Sequence, residues 1–161
     1  MALRTLPPAA RRPIAAIWFA AFALLFTVLF FLRLSMASHA VVLYIVLPSL
    51  AAGIAGYIWG GAILDSSHVK TYRQSVLRGL GVSAGAYAIF AVLYACEVPL
   101  LEGEWSLGRA ESLLLFALML GPLMVAPMAA ITGMISGIML FKFGRHVFAE
   151  SDDRTSEASG M

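Results

Sequence analysis

Ser83 is the residue of this sequence whose surroundings most resemble a catalytic motif. It is the central residue of the segment GVSAG at 81–85, which matches the G-x-S-x-G pattern of serine hydrolases. That pattern requires a strand-to-helix turn and a nearby base, because a serine hydroxyl is a weak nucleophile on its own. Here the segment lies in an apolar stretch, and the nearest candidate partners, Asp65 and His68, precede it in a polar loop. We therefore expect Ser83 to pack against another helix, with an intramembrane hydrolase as the alternative.

The three histidines, His39, His68 and His146, are the next candidates for chemistry. A haem between helices requires two histidines at matching depth, and a zinc site requires several His or Cys ligands close together. The chain has a single cysteine, so it forms neither an internal disulfide nor a cysteine cluster. The sequence therefore predicts no catalytic residue, no cofactor and no metal site.

Methionines are concentrated in one apolar stretch near the C-terminal end. Thioethers can bind Cu(I), but flexible methionines also fill irregular space between helices, and we favour the second interpretation. Five of the eight methionines lie there: Met119, Met124, Met128, Met134 and Met139.

The amino-acid composition indicates whether the protein is soluble or lies in a membrane. Of the 161 residues, 61% are hydrophobic and 12% are charged, with a mean hydropathy of +0.88. A soluble domain is nearer half apolar and a quarter charged. The formal net charge of +2 is too small for a nucleic-acid interface. We therefore expect an integral membrane protein in contact with the lipid bilayer.

Four stretches without Asp, Glu, Lys, Arg or His, at 14–32, 40–64, 79–96 and 112–141, are long enough to cross a bilayer as helices. They predict an all-α fold, a four-helix transmembrane bundle with spans at about 14–34, 40–64, 77–97 and 112–141. The predicted domains are an N-terminal arm at 1–13, the membrane domain at 14–148 and a disordered tail at 149–161. A cleaved signal peptide is the alternative for the first span.

Basic residues predict the orientation of the bundle. Nine of the 11 Lys and Arg residues fall before the first span, between the second and third, or after the fourth, and only Arg33 and Arg109 fall on the other side. The positive-inside rule then places both ends of the chain in the cytoplasm. We expect a multi-pass protein of a bacterial inner membrane.

Small residues spaced by four predict where the helices pack, because lipid is as apolar as leucine and association depends on close approach. We expect these contacts mainly within one chain, with contacts between copies as the alternative. Prolines predict kinks. The predicted packing residues are Ala52, Gly56, Gly60, Gly81, Gly85, Ala129, Gly133 and Gly137, and the predicted kinks are at Pro48, Pro122 and Pro127.

Two helices contain similar segments, FAAFALLF at 19–26 and YAIFAVLY at 87–94. Together with similar Pro, Ala and Gly spacing in the second and fourth stretches, they suggest a duplicated helical hairpin, although such residues recur in any apolar helix.

These observations favour a protein without catalytic machinery. The leading hypothesis is an accessory or assembly subunit that packs against other membrane subunits. The alternative is a small transporter or channel that works as a homo-oligomer, with its pathway at the Pro and Gly breaks.

Overall fold

The computed structural model describes residues 7–31, 45–65, 71–103 and 105–158, and every regular element among them is helical. Helix α1 is Pro8–Phe31, and α2 is Leu47–Trp59 followed by a 3₁₀ turn at Gly60–Ile63. Helix α3 is Tyr72–Leu101, and α4 is Leu107–Ala158. The predicted helical class is confirmed.

Three segments are long and apolar enough to cross a membrane: Ala9–Leu29 in α1, Tyr72–Leu101, and Pro127–Arg145 in α4. These three segments are compatible with a multi-pass membrane protein. The apolar helix Leu47–Ile63 is shorter. It occupies the second predicted span, whose first residues, 40–44, lie outside the described residues.

At both ends of the chain the helical region extends beyond the predicted membrane domain at 14–148. Helix α1 begins at Pro8, inside the predicted arm at 1–13, and it includes Pro13. Proline is compatible with a helix start because the first N–H groups of a helix have no intrahelical partner. Helix α4 continues to Ala158, within the predicted tail at 149–161, and the division of the chain into arm, membrane domain and tail stays a prediction. Extending an existing helix needs no new nucleus, and Ala, Glu and Arg are good helix formers.

The prolines with predicted kinks lie in α2 and α4. Pro48 lies in the first turn of α2, directly after two π-helical residues, Ile45 and Val46, and the predicted kink at this position stays a prediction. Helix α4 continues through Pro122 and Pro127, and the kinks at these two residues stay a prediction.

The helices pack in chain order, α1 on α2, α2 on α3 and α3 on α4. One end of the bundle, here called the basic end, is where α1, α3 and the 3₁₀ turn come together with the Phe141–Arg145 part of α4. Gly61 adjoins Arg12, and Leu64 adjoins Gly144. Helix α1 also meets α4 at this end, where the Trp18 and Phe143 rings have centroids 5.3 Å apart.

Local signals explain where α3 begins and ends. Thr71 caps the helix by accepting a hydrogen bond from the Gln74 backbone N–H at 3.3 Å, and the Gln74 side chain accepts one from the Thr71 backbone N–H at 3.3 Å. After Leu101 the chain turns at Gly103, whose φ of +70° suits glycine. The Ser106 hydroxyl then accepts a hydrogen bond from the Arg109 N–H, which starts α4.

Candidate functional site

Helices α1 and α2 meet through glycines whose missing side chains permit close contact. A Cβ atom added to Gly56 would lie 2.8 Å from the carbonyl oxygen of Ala15 and 3.1 Å from the Cβ of Phe19. A Cβ added to Gly60 would lie 3.0 Å from the Cβ of Ala15. Gly56 and Gly60 thus lie at the helix contact for which they were predicted, and Ala52, one turn earlier, is buried.

Helices α3 and α4 approach more closely still. A Cβ at Gly137 would lie 2.7 Å from the carbonyl oxygen of Ser75, and one at Gly133 would overlap the hydroxyl of Ser83. On α3 the residue at this contact is Gly79, where a Cβ would overlap the carbonyl oxygen of Gly133. Gly81, by contrast, faces open space in the described part of the chain, so its predicted packing role finds no partner helix there and stays a prediction.

Gly85, the other glycine predicted on α3, contacts the side chain of Trp59 on α2, where an added Cβ would overlap the indole ring. Ala129, the remaining predicted packing residue, is half-buried and borders the interior of the bundle.

Charged and aromatic side chains hold the basic end together. Arg11 and Asp65 form an ion pair at 2.5 Å, with side chains only 13% and 22% exposed, which joins the start of α1 to the end of the 3₁₀ turn. The guanidinium carbon of Arg145 lies 4.8 Å from the centroid of Phe141, whose ring also packs edge-on against Tyr72. These contacts join α1 to the residue that follows the 3₁₀ turn, and α4 to the start of α3.

An apolar cavity of about 420 Å³ lies between the four helices. Phe19, Val82 and Ser136 border it near the basic end, and Thr27, Tyr94 and Phe116 border it farther along the bundle. Pockets for drug-sized ligands measure roughly 300–1,000 Å³. An apolar cavity of about 150 Å³ is enough for benzene. The cavity therefore has room for a small organic molecule.

Aromatic side chains form much of the cavity wall. On α1 they lie at positions i, i+3 and i+7, and on α3 they repeat the same spacing; α4 adds one ring. These residues are Phe19, Phe22 and Phe26, then Tyr87, Phe90 and Tyr94, and finally Phe116. The two similar segments noted in the sequence, 19–26 and 87–94, thus line one cavity.

Three of the hydroxyl groups at the cavity donate hydrogen bonds to backbone carbonyl oxygens. Thr27 donates to the carbonyl oxygen of Ala23 at 2.8 Å, Thr132 donates to that of Met128 at 2.8 Å, and Tyr87 donates to the Ala117 carbonyl oxygen across the contact between α3 and α4. Ser136 differs. Its side chain is fully buried, and its hydroxyl has no hydrogen-bond partner in the part of the chain that the structure describes.

The backbone of Ser136 is held firmly even though its hydroxyl is not. The indole N–H of Trp18 donates to the Ser136 carbonyl oxygen at 3.3 Å, which ties α1 to α4 next to the cavity. A buried polar group without a partner is unfavourable, and a native structure rarely retains one without a reason.

The structure places some of the other residues that were considered for catalysis or metal binding. Ser83 borders the cavity and packs against Gly133, and Asp65, one of its proposed partners, is paired with Arg11. His39 and His68 lie outside the described residues, and so does the side chain of His146. Within the described ranges, no group of three or more His, Cys, Asp or Glu residues is placed to hold a metal ion.

The cavity was not predicted, although the sequence contains a signal for it. Aromatic residues at i, i+3 and i+7 lie along one side of a helix, and this spacing occurs twice. The duplication that this repeat suggests stays a prediction, and in the structure the two segments supply two walls of the cavity.

No protein-family model matches the chain, and no curated protein or solved structure is significantly similar to it.

Proposed function

We propose that the chain is a four-span protein of a bacterial inner membrane, with both ends on the cytoplasmic side, and that it serves as an accessory or assembly subunit without catalytic activity. The fourth crossing in this proposal is α2 with its 3₁₀ turn. Thirteen α-helical and four 3₁₀ residues rise about 28 Å, close to the roughly 30 Å of a bilayer core.

The direction of α2 supports this topology. Gly60 and Gly61, which follow α2, adjoin Ala15 and Arg12 near the start of α1. The chain therefore returns to the basic end before α3 begins there. A basic end in the cytoplasm agrees with the distribution of Lys and Arg along the sequence.

The observation that supports a subunit role is the exposed middle of α4. Leu118, Met119 and Leu120 are 44%, 75% and 46% exposed, and Leu123 is 77% exposed. Consecutive helical residues point about 100° apart, so exposure of three in a row leaves more than half of the helix circumference uncovered. This apolar surface, the α4 face, suits a transmembrane helix of a larger subunit, because flexible methionine adapts to a partner surface.

Site-specific photocrosslinking in native membranes tests the subunit role. A photoreactive residue at Met119, on the α4 face, should give one discrete adduct with a larger membrane protein. Ile17 on α1 is similarly exposed, at 71%, and provides the matched control, which should give no discrete adduct. Equal, diffuse labelling at the two positions would contradict the proposal, because it would mean that lipid alone covers the α4 face.

The cavity favours a second candidate function, a small transporter that works as a homo-oligomer. The described residues at the cavity include no Asp, Glu, Lys or Arg, so its solute would be apolar and neutral. An adduct of twice the chain mass at Met119, together with transport of a neutral dye by proteoliposomes, would favour this candidate over the subunit role.

A further inference from the structure

We infer that the cavity is a binding site for a neutral, flat ring compound that carries a carbonyl oxygen, with Ser136 donating a hydrogen bond to that oxygen. The inference does not depend on whether the protein is a subunit or a transporter, because it rests on the cavity and its lining alone.

The lining determines the class of ligand. It has apolar walls and no side chain of Asp, Glu, Lys or Arg among the described residues, so a charged ligand would lose its hydration without compensation. Aromatic rings of α1 and α3, among them Phe22 and Phe90, border the same space. Rings attract one another in stacked or edge-to-face arrangements beyond the effect of burial alone, so these walls favour a flat ring over a flexible chain.

Ser136 determines the polar group of the ligand. Its hydroxyl is fully buried at the edge of the cavity and has no partner among the described residues, so an acceptor oxygen on the ligand would satisfy it. In the structure this hydroxyl is closed off from the cavity, so the proposed hydrogen bond requires Ser136 to turn to another staggered rotamer. A neutral carbonyl oxygen accepts such a bond without bringing a charge into the apolar site.

The surroundings of the cavity explain how the ligand enters. Phe116 and Met128 border the cavity and are 60% and 39% exposed, so the cavity reaches the surface of the bundle beside α4. Both residues lie in an apolar part of the chain. In a bilayer this opening faces lipid, and an apolar ring compound dissolved in the lipid reaches it without crossing water.

The test is equilibrium binding to the full-length protein in lipid nanodiscs, with quenching of tryptophan fluorescence as one readout and equilibrium dialysis as the second. The ligands are 2-methyl-1,4-naphthoquinone, its hydrocarbon counterpart 2-methylnaphthalene, and the acyl ester methyl laurate. We expect saturable binding of the quinone with one molecule per chain, and weaker binding of the other two.

Two variants and their controls assign the binding to this cavity. Ala86 borders the cavity, and Ala84 is exposed on the same helix. Ala86→Leu should lower the quinone affinity at least about tenfold by occupying the space. Ala84→Leu should leave the affinity unchanged. Ala23→Leu fills the cavity from α1 and replaces Ala86→Leu if that variant does not fold.

Ser136→Ala should weaken quinone binding by about three- to tenfold, the range expected for one hydrogen bond, and should leave binding of 2-methylnaphthalene unchanged. Ser112→Ala, at an exposed serine of α4, is the control. The inference is overturned if the quinone does not bind saturably to folded protein, if Ala86→Leu and Ala23→Leu bind it as wild type does, or if Ser136→Ala weakens the quinone and the hydrocarbon equally. Tighter binding of methyl laurate than of the quinone would overturn the choice of a ring.

Discussion

The basic end of the bundle and the cavity differ in the size of the side chains between their helices. Toward the basic end, Gly79 lies against Gly137, and Gly60 lies against Ala15, so the backbones of neighbouring helices touch. At the cavity, rings such as Phe22 and Phe90 lie between the same helices, and a space of about 420 Å³ remains. Small residues permit close approach, whereas large rings that do not interlock keep helices apart.

The basic end and the cavity also differ in their polar interactions. The Arg11–Asp65 pair at the basic end connects two elements that are distant in the sequence, and the hydrogen bond from Trp18 to the Ser136 carbonyl oxygen does so where the basic end borders the cavity. At the cavity, Thr27 and Thr132 bond within their own helices, and the Tyr87 hydroxyl donates from α3 to a carbonyl oxygen of α4. We therefore expect the basic end to contribute more to the stability of the bundle than the region around the cavity does.

The largest effect is expected at the closest backbone contact. Gly79→Ala would place a Cβ against the carbonyl oxygen of Gly133, which cannot move without separating α3 from α4. We expect a loss of at least about 2–3 kcal/mol in the free energy of unfolding, as in overpacked cores. The measurement is an equilibrium titration from mixed micelles into SDS, followed by circular dichroism.

Gly81→Ala is the matched control for that substitution, since Gly81 lies on the same helix and faces open space. We expect it to be neutral or to stabilise the protein by up to about 1 kcal/mol, because alanine favours the helix over glycine. Equal destabilisation by the two substitutions would refute the assignment of Gly79 to the contact.

An intermediate effect is expected at the ion pair of the basic end. Arg11→Gln should lower the free energy of unfolding by about 1–3 kcal/mol, less than for a fully buried pair because both side chains retain some exposure. Arg12→Gln, at the exposed neighbouring position, should change it by less than about 0.5 kcal/mol. The SDS titration that measures Gly79→Ala also measures this pair, and similar values for both arginines would count against a specific role for Asp65.

The smallest effect is expected beside the cavity. Tyr87→Phe removes the bond from its hydroxyl to the Ala117 carbonyl oxygen and should cost about 1 kcal/mol. Tyr57→Phe, at an exposed tyrosine of α2, is the control and should be neutral. A cost for Tyr87→Phe as large as that of Gly79→Ala would contradict the expectation that the basic end contributes more to stability.

Apolar composition predicted the helical fold, because a long uncharged run in a membrane satisfies its backbone hydrogen bonds most simply as a helix. The four-residue spacing also predicted Gly56, Gly133 and Gly137 as contact residues. It could not distinguish Gly79 from Gly81, since that choice depends on how α3 is rotated relative to α4. The spacing of aromatic residues was visible in the sequence, but the space between them depends on how three helices converge.

Two features of the structure could not be predicted from a single stretch of sequence, because they depend on contacts with other parts of the chain. The 40–64 stretch predicted one long span, whereas the described part contains a 13-residue α-helix and a 3₁₀ turn. The free hydroxyl of Ser136 could not be predicted either, because a helical serine commonly bonds to a preceding carbonyl oxygen, and only the packed structure shows that this one does not.

The most direct test of the account is the side of the membrane on which each end of the chain lies, because it decides whether α2 crosses. In a Cys96→Ala background, single cysteines at Ala9, Leu107 and Ala158 are treated with a membrane-impermeant maleimide, before and after permeabilisation. We predict that Leu107→Cys reacts in intact spheroplasts, and that Ala9→Cys and Ala158→Cys react only after permeabilisation. Reaction of Ala9→Cys and Ala158→Cys from opposite sides would contradict the four-span account.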